Sequence, residues 1–209
     1  MKFEIRYQEE YSRGELLLRT FFGFFYIIIP HLFLLYFLGI AAGVLQFISF
    51  WAILFTGKYP KDFFDFRVKL YRWILRLQAR LLNLSDGYPA FGLNVEDENT
   101  ELIIEYPEEI SRGNTILKAL FGWIYILIPH GFVLLFRFLI AGFMRFIAFW
   151  VVLFTGEWPE SFHRFHVETL RWAMRVNLAM SWMTDEYPPF SGKPDSEIKG
   201  DGAILDQID

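Results

Sequence analysis

Two stretches of the chain, residues 20–57 and 119–156, are almost entirely apolar. The strongly polar side chains inside them are His31, Gln46, His130, Arg137 and Arg145. Apolar runs of 18 or more residues are typical of helices that cross a membrane. The pattern therefore predicts an all-α integral membrane protein.

Each apolar run holds 38 residues, whereas one membrane span needs about 20. In one interpretation each run is a transmembrane helical hairpin, with limbs at 18–37 and 40–57 and a turn near 38–43 in the first copy. In the other, residues up to Ile29 lie along the interface, and Pro30 starts one long helix that ends near Phe55. An even number of crossings keeps the basic segments and both termini on one side, which the positive-inside rule makes cytoplasmic. We therefore expect the hairpin, giving four spans in all, with one long span per run as the alternative.

Short patterns flank each run. In front of it, "KFEIRY" and "ELIIEY" contain alternating apolar residues, which predicts a strand. Behind it, Gly57 and Gly156 are typical of the residue that ends a helix, and Pro60 and Pro159 of the start of the next one. Each unit is therefore predicted to contain a short strand, an apolar hairpin and a further helix.

The helix after each apolar run is amphipathic. Its apolar residues are spaced by threes and fours, with basic residues opposite, a pattern that suits a helix lying in the membrane interface. A helix packed on a soluble domain is the alternative. The predicted lipid-interface residues are Lys69, Arg72, Trp73, Arg76, Arg80, Arg171, Trp172 and Arg175. The first helix is the more basic, so we expect it to bind anionic lipid more strongly.

The chain is a tandem duplication. A shift of 99 residues aligns residues 7–91 with residues 106–190 without a gap, and 38 of the 85 aligned positions are identical. The shared segments include "SRG", "IPH", "LFTG" and "RW". We predict a first membrane repeat at 1–92, an acidic linker at 93–101, a second repeat at 102–191, and an acidic, disordered tail at 192–209.

The histidines of the repeated Pro-His pair are the first candidates for chemistry, because an ionisable residue inside a membrane helix is often functional. His31 and His130 could form a symmetric pair that ligates haem or a metal. Alternatively, each histidine bonds a carbonyl that the adjacent proline leaves unpaired. His163 and His166 have no histidine counterparts in the first copy, and a solvated helix face explains them.

A second repeated motif is Tyr-Pro-x-Phe, in "SDGYPAF" and "TDEYPPF". We expect these extended aromatic segments either to dock on the amphipathic helix or to present a groove to a partner. Asp86 and Asp185 precede them and are predicted turn or capping residues. The predicted structural-motif residues are Pro30, Pro129, Gly57, Gly156, Tyr88, Pro89, Tyr187 and Pro188.

The composition narrows the chemistry. The chain has no cysteine, so disulfides and thiolate sites are excluded. A net charge of −4 gives no indication of the basic surface that binds nucleic acid. Neither apolar run contains a carboxylate, which an ion-coupled carrier usually has. We therefore expect no enzymatic activity, cofactor or metal.

The two strings from "LFTG" to "YPAF" or "YPPF", with the upstream "IPH", resemble the bacterial membrane family called domain of unknown function 4389. The resemblance covers both copies and implies an inner-membrane protein built from repeated units. It implies no activity. Gly87 and Ala90 in the first copy depart from the pattern "TDxYPPF" of the family.

These features lead to three functional expectations. The first is a non-enzymatic accessory or scaffolding subunit that binds anionic lipids and other membrane proteins, with cytoplasmic termini. The second is a small transporter or lipid-handling protein with a path lined by His31, His130 and Arg145. The third is a haem-binding redox subunit that uses the two histidines.

Overall fold

A computed structural model describes residues 1–198 of the chain, and these residues are mostly helical. Each repeat contains the same elements in the same order. The first has β1 (Lys2–Ile5), α1 (Arg13–Gly23), a π-helical turn (Phe24–Ile28), α2 (Ile29–Thr56) and α3 (Lys61–Leu81). The second has β2 (Thr100–Ile103), α4 (Arg112–Gly122), a π-helical turn (Trp123–Leu127), α5 (Ile128–Thr155) and α6 (Glu160–Met180).

The hairpin prediction is wrong. Residues Arg13–Thr56 form one continuous helix of 44 residues, the first long helix, and residues Arg112–Thr155 form the second long helix. The proposed turn at 38–43 lies inside α2 and is helical throughout. A turn there would leave up to four carbonyls unpaired at the new helix end, and the isolated glycines among Leu, Ile and Ala do not offset that cost. The observed helix is closer to the single-helix alternative.

Both long helices are long and apolar enough to cross a membrane. In the most apolar 18-residue window of each helix only 17% of the residues are buried. The central helix of a soluble protein would be mostly buried instead. Their side chains are thus largely exposed in the folded chain.

The covered positions of each long helix form one stripe. They recur every three or four residues, which keeps them on one face of an α-helix. In the first long helix the buried or half-buried stripe is Leu16, Arg19, Gly23, Ile27, His31, Leu35, Leu38, Ala42, Leu45, Ser49 and Ile53. The second long helix has the same stripe 99 residues later. The opposite face of each helix is exposed along its whole length.

The predicted strands are confirmed, and they pair with each other. β1 and β2 form an antiparallel ladder in which Phe3 lies opposite Leu102. Lys2 lies opposite Ile103, and Glu4 opposite Glu101. Exchanging the two repeats maps this register onto itself. The repeats are therefore related by an approximate two-fold axis near the Phe3–Leu102 pair, like the subunits of a symmetric dimer.

Further contacts between the repeats obey the same symmetry. The Tyr11 amide donates to the Gly156 carbonyl over 2.8 Å, and the Ile110 amide donates to the Gly57 carbonyl over 2.8 Å. Both glycines end their helices with positive φ, 75° and 85°. Each long helix therefore ends on the segment that leads into the long helix of the other repeat.

The side chains that follow the strands repeat this exchange. The Tyr7 hydroxyl donates to the Trp158 carbonyl, and the Tyr106 hydroxyl donates to the Tyr59 carbonyl. The main hydrophobic core lies at this junction. It combines residues of both repeats, including Phe3, Leu102, Ile53, Val152, Leu75 and Met174.

We predict that Gly57→Ala and Gly156→Ala each destabilise the protein by about 1–2 kcal/mol, because alanine is strained in the left-handed conformation. Thermal unfolding in detergent, followed by circular dichroism, measures the effect. Gly39→Ala is the matched control, since a Cβ there meets nothing within 4 Å in the middle of a helix. Equal stability of all three variants would contradict this account of the helix ends.

Candidate functional site

The Pro-His and Tyr-Pro-x-Phe motifs meet in each repeat. Pro30 has no amide hydrogen, so the carbonyl of Tyr26, four residues earlier, loses its helical donor. The Tyr88 hydroxyl donates to that carbonyl over 3.0 Å. In the same region the helix changes register, because the Ile29 amide bonds the Phe24 carbonyl five residues back. Tyr88 therefore supplies the hydrogen bond that the proline removes.

The histidine beside the proline is enclosed by aromatic rings. The His31 ring is fully buried and stacks on Phe91, with ring centroids 4.0 Å apart. Trp73 of α3 donates from Nε1 to His31 Nδ1 over 2.9 Å. The Tyr88 ring lies 5.7 Å from the His31 ring. The Tyr-Pro-x-Phe segment thus closes over the histidine, and α3 anchors it from the other side.

The second repeat contains the same site. The Tyr187 hydroxyl donates to the Tyr125 carbonyl over 3.0 Å, which is the carbonyl four residues before Pro129. His130 stacks on Phe190 at 3.9 Å and accepts a hydrogen bond from Trp172 over 2.9 Å. We call these two clusters the aromatic sites, one in each repeat.

The tryptophan bond fixes the state of each histidine. An indole N–H only donates, so Nδ1 of His31 must accept and carries no proton. The ring is then the neutral tautomer with its proton on Nε2. The same holds for His130. The prediction that each histidine bonds the proline-freed carbonyl is therefore wrong: tyrosine bonds the carbonyl and tryptophan bonds the histidine.

The structure does not bring the two histidines together. Each lies among rings of its own repeat, and the Nδ1 atom is occupied by the indole. Among the described residues no group of three or more His, Asp or Glu is arranged to hold a metal ion. Arg145 is exposed and lines a separate cavity beside α6. The ring contacts of each histidine therefore lie within its own repeat, and the symmetric ligand pair and the path lined by all three residues stay predictions.

The aromatic sites are partly open at the surface. Phe91 is 40% exposed and Phe190 is 52% exposed, although each covers a fully buried histidine. An apolar hollow adjoins the first site, lined by Ile29, Pro30, Phe33, Leu34 and Phe91. Each repeat therefore presents a rigid aromatic edge that continues into the exposed face of its long helix.

Most of the predicted lipid-interface residues are buried in the protein. Trp73 and Trp172 belong to the aromatic sites. Arg76 donates to the carbonyls of Val95 and Gly92, at 2.8 and 2.6 Å. Arg80 forms a two-pronged ion pair with Asp97 at 2.7 Å. The linker at 93–101 thus packs on α3 through these arginines.

The second repeat uses its arginines in the same way. Arg171 donates to the carbonyls of Phe3 and Gly192, and Arg175 to those of Ser191 and Lys193. Residues 192–198, predicted to belong to a disordered tail, are thus held on α6; the rest of that tail, 199–209, lies outside the described residues. These guanidinium groups therefore bond backbone carbonyls of the protein, whereas the sequence predicts that they bond lipid headgroups. Lys69 is half-buried and Arg72 is exposed, and lipid contact by these two stays a prediction.

The aspartates in front of the Tyr-Pro turns are caps. Asp86 accepts from the Ser12 amide over 2.6 Å, and Asp185 accepts from the Ser111 amide over 2.7 Å. Both serines cap the start of a long helix. Asp86 also pairs with the buried Arg19 at 2.6 Å. Each Tyr-Pro segment is therefore fixed at both ends on the long helix of its own repeat.

The interpretation of His163 and His166 as a solvated face is wrong. The two side chains are only 4% and 3% exposed. His166 contacts the carbonyls of Phe162 and Ala141, at 2.7 and 2.9 Å. Burial lowers the pKa of His163 to about 4, against a raising effect of the Leu84 carbonyl. Burial also lowers the pKa of His166. Periodicity alone could not show this, because both faces of α6 are covered.

Arg137 does not lie at a hairpin tip but packs against α6. Its Nε donates to Thr169 Oγ1 over 3.1 Å, and its guanidinium lies 4.3 Å from the centre of the Phe165 ring. Glu168 is 3.6 Å away. Side chains of α6 therefore interact with the charge of Arg137, which the hairpin prediction places in solvent at a turn.

The comparisons with known proteins identify the family. The family described as "Domain of unknown function (DUF4389)" matches residues 15–92 and again residues 117–192. The chain belongs to this family and carries two tandem copies of its domain. No curated protein and no solved structure matches the chain.

Helical periodicity does not reveal the tryptophans as histidine partners. It predicts Trp73 and Trp172 at the lipid interface, whereas both bond a histidine of their own repeat. A signal was present in the duplication, because the "RW" pair and the "IPH" triplet are both repeated. Two motifs that are retained together in both copies are candidates for contact, although spacing does not say which atoms meet.

We predict that Tyr88→Phe destabilises the protein by about 1 kcal/mol, because the Tyr26 carbonyl loses its donor. The same change should cost less in a Pro30→Ala background, where an alanine amide can bond that carbonyl. A double-mutant cycle on thermal stability measures this coupling. Tyr187→Phe with Pro129→Ala is the matched cycle in the second repeat. Strictly additive effects would contradict the assignment.

We predict that acid weakens the protein through His163. Its pKa is lower in the folded chain than in the unfolded chain, so protons bind preferentially to the unfolded state. Stability from this group is complete above about pH 6.5 and is lost as the pH falls towards about 4, by up to about 3 kcal/mol. Urea unfolding at a series of pH values measures the slope. His163→Phe, which copies Phe64 of the first repeat, should flatten it, and an unchanged slope would refute the prediction.

Proposed function

We propose that the protein is a non-enzymatic membrane protein that serves as an accessory or scaffolding subunit of a larger complex. We place it in the bacterial inner (cytoplasmic) membrane, with both termini in the cytoplasm and with anionic lipids and other membrane proteins as partners. The observation that carries the proposal is the pair of aromatic sites. Each is a rigid cluster held by hydrogen bonds of its tyrosine and tryptophan, and its outer rings remain exposed.

The chemistry of the aromatic sites supports binding rather than turnover. In each site the polar atoms of the tyrosine, the tryptophan and His31 or His130 Nδ1 are used in fixed hydrogen bonds. What the site offers to a partner is aromatic surface of stable shape. Rigid aromatic side chains of this kind are enriched where protein interfaces gain most of their binding energy.

The duplication supports a scaffolding role. Two equivalent sites, related by an approximate two-fold axis, can hold two copies of one partner or two related partners at a fixed separation. Binding at both sites raises the overall affinity above that of one site, because the second contact is intramolecular. The exposed apolar faces of the long helices would hold the protein in the membrane, where such partners are found.

We predict that Phe91→Ala with Phe190→Ala removes a co-purifying membrane protein that the unmodified chain retains in mild detergent. Quantitative mass spectrometry of both preparations from native membranes measures the ratio. Phe47→Ala is the matched control, since Phe47 is 65% exposed and belongs to neither aromatic site. An unmodified chain that is purified from its membrane without enriching any protein would refute the scaffolding proposal.

A further inference from the structure

The exposed face of each long helix is too long for one crossing. In the first long helix the exposed side chains between residues 20 and 55 carry no charge. These 36 residues extend about 54 Å at 1.5 Å per residue, whereas the hydrocarbon core of a bilayer is about 30 Å thick. A single crossing would leave almost half of this apolar face in water, even before its ends are considered.

Both ends of the first long helix are tied to the same strand pair. The helix begins at Arg13, eight residues after β1 ends at Ile5. It ends at Gly57, whose carbonyl bonds the amide of Ile110, seven residues after β2 ends at Ile103. The two-fold relation attaches the second long helix in the same manner. If the helix crossed the bilayer, the chain segments that link its two ends to this sheet would have to pass through the hydrocarbon as well.

That sheet belongs in water. Lys2 pairs with Glu101 over 2.7 Å, and these side chains are 48% and 45% exposed. A half-exposed ion pair placed in hydrocarbon would lose its hydration at high cost. The strand pair, and with it the attachment of all four helix ends, therefore lies on the aqueous side.

Charged structure also runs along the covered side of the long helices. α6 lies antiparallel to α5, from the His166 contact with Ala141 to the Met180 packing against Gly122. Its far side carries Arg171 and Arg175, which are bonded to the chain segment around residue 192. A crossing of α5 would take this polar assembly through the hydrocarbon as well.

Arg145 marks the border between the two sides. Its side chain is exposed and lines a cavity of about 210 Å³ with His166 and Thr169 of α6. Phe143, two residues away and on the opposite face of the same helix, is 65% exposed. In a helix that lies flat, a guanidinium at this border is at headgroup level, and Phe143 on the opposite face points into the acyl chains.

We infer that the protein is monotopic: both long helices lie in the plane of one leaflet, with their exposed apolar faces in the acyl chains and the sheet, α3 and α6 in the aqueous phase. Arg145 then contacts the phosphate of an anionic lipid headgroup. This inference rests on the proposed membrane location, and it replaces crossing helices with embedded ones.

Single cysteines test the inference, because the natural chain contains none. Arg145→Cys and Phe143→Cys are reconstituted separately in vesicles of phosphatidylglycerol and phosphatidylethanolamine. A membrane-impermeant maleimide is then added, before and after the vesicles are opened. The embedded orientation predicts that position 145 reacts and position 143 does not. For protein on the outer leaflet, this result should be the same before and after the vesicles are opened.

The three other labelling outcomes would each refute a different part of the inference. Protection of both positions in opened vesicles would refute the flat orientation and leave the membrane location intact. Reaction of both positions would place the helix outside the membrane and refute the proposed location as well. Reaction at 143 with protection at 145 would refute the assignment of the two faces. Circular dichroism of each variant verifies the fold.

A depth measurement is independent of the charge at position 145. Fluorophores on single cysteines at Phe25, Phe37 and Phe47, all more than half exposed, are quenched by lipids brominated at known depths. The embedded orientation predicts no gradient of depth along the helix, apart from small differences set by the rotation of each position about the helix axis. A crossing helix would place position 37 about 18 Å deeper along its axis than position 25, and that gradient would overturn the inference.

A matched pair of variants tests the headgroup contact. Arg145→Gln introduces the residue that the first repeat has at position 46, and it should lower retention of phosphatidylglycerol by the detergent-purified protein roughly fivefold. Arg164→Gln removes an exposed arginine beside the strand pair and should leave retention unchanged. Equal losses in both variants would show a general charge effect and refute the specific contact.

Discussion

Everything in this structure follows from the need to cover one side of two very long apolar helices. Each long helix has a single stripe of covered positions and a single exposed face. The amphipathic helix that follows each of them folds back along the stripe. The linker and the segment after residue 191 then cover that amphipathic helix, because its buried arginines require carbonyl partners. The result is a protein with an apolar side made by two helices and a polar side made by everything else.

The junction between the repeats is the second constraint. Neither repeat completes its own helix ends, since the carbonyls of Gly57 and Gly156 are bonded by the opposite repeat. The strands are equally incomplete alone, because a lone β1 would leave its backbone groups without a ladder. The duplication therefore behaves as a covalently joined symmetric dimer. This explains why the main core combines residues of both repeats.

Within each repeat, one missing amide hydrogen organises the aromatic site. Pro30 and Pro129 free a carbonyl, a tyrosine from a distant turn bonds it, and the aromatic residue three positions later covers the histidine.

The two repeats diverge where α6 replaces Phe64 and Arg67 by His163 and His166. Gln46, which accepts from Arg67, is replaced by Arg145 at the same time. The cationic group has thus moved from the amphipathic helix to the long helix, which breaks the symmetry of the two faces.

The sequence by itself determined the duplication, the strands, the helical segments and the family, because these depend on local periodicity and on repeated motifs. It also indicated which motifs matter, since Pro-His, Arg-Trp and Tyr-Pro-x-Phe occur in both copies. Only the tertiary structure decided that each apolar run is one helix, that tyrosine and not histidine bonds the proline-freed carbonyl, and that the arginines of α3 and α6 are buried. The reason is physical: periodicity shows which side chains share a face, but the partner that covers the face comes from segments far away in the chain.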